Sequence, residues 1–431
     1  MEIRMKKARL VRSHRLIHRR RAYSFGILVL ISLLPVCPGA APRHEQTSSQ
    51  VVGYLAEGSL VSGQYSVKTI ATSGAARMLT QLDYAFGGVA NDQCKVANRE
   101  IALDHIYDAQ SSVSGVADLP GPNELRGTFH QLQELKKAYP HLKILISLGG
   151  WGQSAGFPSA AEPDHLRQFV RSCVDTFILG RFDEHRQQPG IFDGVDIDWE
   201  YPVAGGVHQG RPEDKANFTA LVAEFRRQLD AVRPGLLLTA ALPAEEEYYS
   251  NFELKNISPY LDTISIMAYD LHWNTERTTN FHSALFHDPQ DPSPSPMQNR
   301  YGDFAVRGFL KAGVPSSKVL LGVPFYGKGW QGVPPPNHGL YQPSRGPAEN
   351  GGSYRELKAL PESADRHYFS RAVSCTVWNK SFFWSYDCPQ SLREKMRYIR
   401  SRRLAGVMFW ELSQDTSDLE LLRVLTTAPG K

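Results

Sequence analysis

The chain predicts a closed (β/α)8 TIM barrel with a small α+β insertion between its seventh and eighth strands. Three observations carry this. Eight short apolar runs recur at long intervals. Most are continuous rather than alternating, as parallel strands covered on both faces should be. Amphipathic segments of helical period separate them, and strands alternating with helices build either a barrel or a doubly wound open sheet. An open sheet would want a Gly-rich phosphate loop after its first strand, and none follows the first run.

The runs, in order, are 51–56 (VVGYLA), 82–88 (LDYAFGG), 142–149 (LKILISLG), 191–199 (IFDGVDIDW), 236–242 (LLLTAAL), 263–269 (TISIMAY), 318–325 (KVLLGVPF) and 404–410 (LAGVMFW). Each is of strand length and rich in β-branched or aromatic residues. The clearest helical segments are 124–139, 164–182, 214–233, 301–312 and 391–403. In 214–233 the apolar residues Phe218, Leu221, Val222, Phe225 and Leu229 recur at spacings of three and four, which puts them on one face. From the first run to the last is 360 residues, against about 250 for an ordinary barrel of this kind. The surplus belongs in loops. The largest is 329–385, rich in Gly, Pro, Tyr and Trp and long enough for a small α+β insertion; the next is 281–300, with its DPQDPSPSP stretch. The expected division is a signal peptide over 1–41, the first part of the barrel over 42–328, the insertion over 329–385, and the last strand and helix over 386–431.

Charge narrows the function. The 431 residues carry 48 Lys+Arg against 44 Asp+Glu, a formal net of +4. Nine of the basic residues and one acid lie in residues 1–41, leaving 39 basic against 43 acidic residues beyond them. The remainder is mildly acidic, so nucleic acid is not an expected partner, because phosphate binding needs a cationic face. Residues 1–24 are basic, 25–37 (FGILVLISLLPVC) are apolar, and PGAAP follows with small residues suited to cleavage after Ala41. This is the order of a secretory signal. The apolar stretch is short of the roughly 20 residues a spanning helix needs. The expectation is a secreted protein, extracellular or periplasmic, with no membrane span after cleavage. Cleavage would leave Cys94, Cys173, Cys375 and Cys388. An oxidising destination permits disulfides, and Cys375 with Cys388, close in sequence around a turn-rich stretch, is the preferred pair. No cysteine or histidine spacing suggests zinc; neither a metal nor another cofactor is expected.

In a barrel, chemistry gathers at the C-terminal ends of the strands. The fourth run ends in DGVDIDWEYP. Side chains two apart on a strand share a face, so Asp196, Asp198 and Glu200 line up along the barrel interior with Glu200 nearest the mouth. Asp193 is out of phase and supports the strand's start. Three carboxyls in one poorly solvated column raise one another's pKa and share protons. Such a column keeps its outermost member protonated near neutral pH, as a general acid requires. A metal cage would want acids from other strands at matching depth, and the other strand ends offer few.

FDGVDIDWE resembles, position by position, the active-site signature of the family 18 glycoside hydrolases, the chitinase family. Ser147-Leu148-Gly149-Gly150-Trp151 is similar to that family's SxGG motif, Met267-Ala268-Tyr269-Asp270 to its MxYD motif, and Trp410 to its tryptophan on the eighth strand. The likeness covers about residues 50–425. It implies hydrolysis assisted by the substrate itself. Glu200 would protonate the leaving glycosidic oxygen and then act as base. Asp198 would hold the acetamido N–H, Asp196 would modulate Asp198, and Tyr269 would donate to the acetamido oxygen. Trp410 would form the floor under the reacting sugar, with Met267 beside it. Asp270 would contact that sugar or the surroundings of Glu200, Tyr326 would face the sugar, and Trp151 and Trp273 would line further subsites. Lys328 stands where relatives often carry Arg. Ser147, Gly149 and Gly150 would shape the strand end rather than touch substrate, and Trp199 would point outward into the helix layer.

The resemblance therefore implies a monomeric chitinase, expected to act within the chain, on β-1,4-linked N-acetylglucosamine polymers and oligosaccharides. An endo-β-N-acetylglucosaminidase acting on glycans or peptidoglycan uses the same chemistry in a different groove. Relatives that are chitin-binding lectins have generally lost the acid that this chain retains as Glu200.

Overall fold

The computed structural model describes residues 49–63, 65–348 and 352–427. The segment assigned to a signal peptide, 1–41, lies outside the described residues. Among the described residues, thirteen strands form two sheets. The larger contains β1 (Gln50–Ala56), β2 (Gln81–Ala90), β3 (Gln93–Val96), β4 (Lys143–Gly149), β5 (Gly194–Asp198), β6 (Leu237–Pro243), β7 (Thr263–Met267), β8 (Val319–Pro324) and β13 (Gly406–Trp410). Eight of these pair in parallel in the order β1-β13-β8-β7-β6-β5-β4-β2, and pairing of β1 with β2 closes the cylinder. This is the (β/α)8 TIM barrel. All eight apolar runs became barrel strands because each is buried on both faces, inside by the barrel filling and outside by helices.

The outer layer is built as the periodicity dictates. Helices run over Gly127–Ala138, Pro163–Cys173, Asp214–Val232, Gly302–Lys311 and Pro389–Ser401. Phe218, Leu221, Val222, Phe225 and Leu229 are all fully buried, each contributing about 1.5–3 kcal/mol over exposure. The segment expected as one helix over 164–182 leaves α geometry after Cys173 and continues as a π-turn, Val174–Ile178.

Strand β3 had no counterpart in the apolar pattern. Its burial is mixed because it turns back antiparallel on β2 at the barrel rim. It carries Cys94, which is bonded to Cys173 at the end of the second helix. Cys375 is bonded to Cys388.

The smaller sheet is antiparallel, in the order β10 (Asp365–Phe369), β11 (Ser374–Asn379), β12 (Phe382–Tyr386), β9 (Gly327–Gln331). It leaves the barrel three residues after β8 and returns at Tyr386, with the short helix Tyr354–Lys358 between β9 and β10. A cluster of Phe281, Trp330, Leu340 and Phe383 packs the loop after β7 onto this sheet. Lys395 of the last long helix, 3% exposed, reaches Asp387 at 2.5 Å and the carbonyl of Ser283 at 2.6 Å. One buried cation thus ties helix, sheet exit and loop together.

Candidate active site

Register sets the deepest layer of the site. Asp196 on β5 sits level with Ser147 on β4 and Thr239 on β6. Side chains at one level of adjacent parallel strands point the same way. The Ser147 hydroxyl donates to Asp196 Oδ2 at 2.7 Å and the Thr239 hydroxyl to Oδ1 at 2.6 Å. Tyr54 of β1 reaches across the interior and donates to Oδ2 at 2.8 Å. Burial raises the Asp196 pKa, and the three hydroxyls draw it back down. The offset is partial, and it comes from donors that favour the charged form. Beside it, Asp83 of β2 is also buried; burial, above all, and the Asp196 charge hold its pKa well above the usual carboxylate range. Gln81 donates to it at 2.8 Å.

The next layer is Asp198. Burial and then the charges of Glu200 and Asp196 hold its pKa well above the usual range. Its Oδ1 is buried without a hydrogen-bond partner, an arrangement that costs free energy until a donor arrives. The strand next door makes room. Gly149 has φ +107°, and a Cβ there would lie 2.3 Å from the Asp198 carbonyl oxygen. The Gly150 amide donates to that same oxygen at 2.7 Å.

Glu200 follows β5 at the mouth. Its amide donates to Ser154 Oγ at 3.0 Å. Burial pushes its carboxyl up to about 7; Tyr201 pulls it back and the Asp270 charge pushes it further. Asp270 itself stays below its ordinary value. Burial acts upward on it, but His282, Lys328 and Tyr326 together outweigh that. Tyr326 donates to Asp270 Oδ1 at 2.7 Å, and Lys328 Nζ stands 3.1 Å from Oδ2. The same ammonium lies 4.0 Å from the ring centre of Trp273, a cation–π contact.

A cleft of about 490 Å³ opens above these groups, within the usual range for a small-ligand site. Asp198, Glu200, Met267, Tyr269, Asp270, Tyr326, Trp151, Trp273 and Trp410 all line it, while Asp196 lies beneath. Trp410 stacks on Phe86 at 5.6 Å and leans on Tyr54. Trp151, 40% exposed, meets Trp273 at 5.4 Å and Tyr201 at 6.5 Å. Among the described residues the Tyr269 hydroxyl has only the Met408 sulfur, at 3.7 Å, as a partner, so a better acceptor would win it. Trp199 points away from the cleft and stacks on Phe157. Asp193 holds the start of its strand, accepting the Ile144 amide and pairing with Lys136 at 2.7 Å.

The expectation that other strands contribute few acids needs correction. Asp83 sits inside β2, and Glu245 follows β6 and lines the cleft. Neither belongs to a motif. A lone acid within an apolar run marked Asp83, and an acid run directly after a strand marked Glu245. Tyr54 and Thr239 carried no signal, because only the closed barrel brings them to Asp196. Among the described residues no group of three potential metal ligands assembles.

Such a site can give a proton to a leaving oxygen, hold a polar group of the ligand against Asp198 and Tyr269, and pack a sugar face on Trp410. Comparison with known proteins gives the family. The chain is 32% identical to chitinase 63 of Streptomyces plicatus over 396 residues, covering 90% of this chain and 62% of that protein. It is 33% identical to chitinase C of Streptomyces lividans, covering 85% of this chain and 57% of that protein. It therefore spans about three fifths of the length of these relatives. The catalytic domain of a psychrophilic chitinase B from Arthrobacter TAD20 superposes with a TM-score of 0.82 at 34% identity, over 88% of this chain and 94% of that one. A family 18 N-acetylglucosaminidase from Paenibacillus barengoltzii superposes with a TM-score of 0.69 at 29% identity, over 88% and 99%. With residues 50–415 matching the glycosyl hydrolases family 18 as a unit, the chain belongs to that family.

Proposed function

We propose that the protein is a secreted chitinase that cleaves β-1,4 bonds between N-acetylglucosamine units with retention, using the substrate's own acetamido group. The observation that carries this reading is the pairing of Glu200, pushed up to about 7 mainly by burial, with the unpartnered Asp198 Oδ1 below it. An acid that still holds its proton at neutral pH sits above an acceptor that lacks a donor.

In the first step the Glu200 carboxyl passes its proton to the glycosidic oxygen as that oxygen's bond to C1 breaks. The acetamido carbonyl oxygen bonds to C1 from the opposite face. The leaving chain departs as an alcohol, and a cyclic oxazolinium ion remains. Asp198 Oδ1 accepts the N–H of that ring and stabilises its positive charge, with Asp196 adjusting the charge on Asp198. The Tyr269 hydroxyl donates to the acetamido oxygen. In the second step the Glu200 carboxylate takes a proton from water, the water oxygen bonds to C1, and the ring opens. Two inversions at C1 give net retention. Trp410 and Met267 pack the reacting sugar, Asp270 and Tyr326 face it, and Trp151 and Trp273 extend the groove.

The two disulfides suit an oxidising compartment and support secretion by way of a signal over 1–41. The remaining division is a barrel over 42–328 and 386–431 with an insertion over 329–385. The second reading, an N-acetylglucosaminidase on other glycans, is favoured by the likeness to the Paenibacillus enzyme. Both readings share a decisive experiment. N-acetylglucosamine oligomers are expected to be cleaved and fully deacetylated chitosan to resist, because it lacks the internal nucleophile. Cleavage of both at similar rates would overturn the mechanism, and product analysis on oligomers of defined length separates the two substrates.

A further inference from the structure

Glu245 lies two residues beyond β6 and precedes the short helix Glu246–Tyr249. It is 8% exposed, yet it lines the cleft that holds Glu200. Among the described residues its carboxyl makes no ion pair and takes no hydrogen bond from another side chain. Of the neighbouring cations, Arg300 pairs with Glu247 and reaches Glu245 only through its charge, and Lys328 pairs with Asp270; the Glu245 carboxyl also has its own backbone amide. The fold recovers only part of the cost of burying this carboxyl, since burial still outweighs the backbone amide and the Arg300 charge. A ligand carrying a cationic donor would recover it.

Its position along the groove follows from the rings. Trp410 is flanked by Tyr54 and Phe86. Tyr201 is flanked instead by Trp151 and by Tyr248, on which it stacks at 5.5 Å. The charge of Glu245 acts on Tyr201 and Tyr248, so it belongs to the second group. Tyr201 also hydrogen-bonds Glu200, whose proton goes to the leaving oxygen, so with the reacting sugar on Trp410 that group lies toward the leaving half of the substrate. Among the described residues the cleft lining sets four carboxyl groups, Asp198, Glu200, Glu245 and Asp270, against one ammonium, Lys328.

We propose that Glu245 receives the free amine of an N-deacetylated hexosamine on the leaving side of the scissile bond, which makes partly deacetylated chitin the preferred substrate. The inference rests on the function proposed above. The chemistry there needs an acetamido group only on the reacting sugar, and the next sugars are free to carry an amine. Burial, above all, pushes Glu245 up to about 8, so in the empty cleft it holds a proton near neutral pH. An incoming neutral amine takes that proton, and a carboxylate–ammonium pair forms with no net exchange with water.

The experiment compares wild type and Glu245→Gln on a fully acetylated oligomer and on partly deacetylated chitosan, and sequences the products. Wild type is expected to yield new non-reducing ends enriched in glucosamine above the polymer's average. The variant should lose that enrichment. Its ratio of kcat/KM for the partly deacetylated over the acetylated substrate should fall about tenfold, the scale of one charge-assisted hydrogen bond. A random new end in wild type overturns the inference whatever the variant does. So does an equal loss on both substrates, which would make Glu245 a general sugar contact. If wild type hydrolyses neither substrate, the function proposed above fails and takes the inference with it; hydrolysis with an unchanged ratio sinks the inference alone.

Discussion

Glu200→Gln tests proton donation most directly, because the structure gives it two linked magnitudes. At pH 6 a carboxyl titrating at about 7 is about nine-tenths protonated, whereas one at the ordinary 4.5 would be only about one-thirtieth protonated. The site thus supplies about a thirtyfold larger population of the acid than an exposed Glu would. Gln keeps the shape and loses the proton, so turnover on a chitin oligosaccharide should fall by about 10²–10⁴. The second magnitude is stability. The folded pKa lies above the unfolded one, so stability is fully present below about 4.5 and is lost as pH rises through about 7. Gln removes that loss. The variant should therefore gain about 3 kcal/mol more at pH 8 than at pH 4, read from denaturant midpoints. Chromatography of the oligosaccharide products gives turnover. First-turnover release from an aryl glycoside, whose leaving group needs little protonation, should be far less impaired. Near-wild-type hydrolysis of the natural bond would refute the assignment. Equal losses on both substrates in a variant that folds normally would also refute it.

Three further outcomes are expected. In wild type, turnover on uncharged oligomers should fall about tenfold per pH unit above about 7, as Glu200 loses its proton; a descending limb near 4.5 would contradict the buried acid. Replacing Cys94 and Cys173 together by Ser should lower stability by about 4 kcal/mol, given the 79-residue separation they close, with denaturant titration as the check. Lys395→Met should cost about 3–5 kcal/mol by stranding Asp387, and adding Asp387→Leu should restore much of it; a double variant no better than the single would show that shape, not charge, is at stake.

The barrel was legible because a strand buried on both faces must be largely apolar, and β4, β6, β7 and β8 are. The column of Asp196, Asp198 and Glu200 was legible for a local reason: period two on one strand aligns them whatever the rest of the chain does. Beyond that, local pattern carried little. Strand β3 has the mixed composition of a rim hairpin, so its Cys94 could be matched to Cys173 only once hairpin and helix were docked.

Sequence alone determined the alternation of strands and helices, the strand that bears the acids and the face on which they lie, since these follow from periodicity within a few residues. Tertiary structure alone decided what state those acids are in. Tyr54, Ser147 and Thr239 converge on Asp196 from three other strands. Asp83 and Asp270 come from two more, and Glu245 enters from the end of β6. A pKa depends on desolvation and on charges brought near through space, and neither exists until the barrel closes.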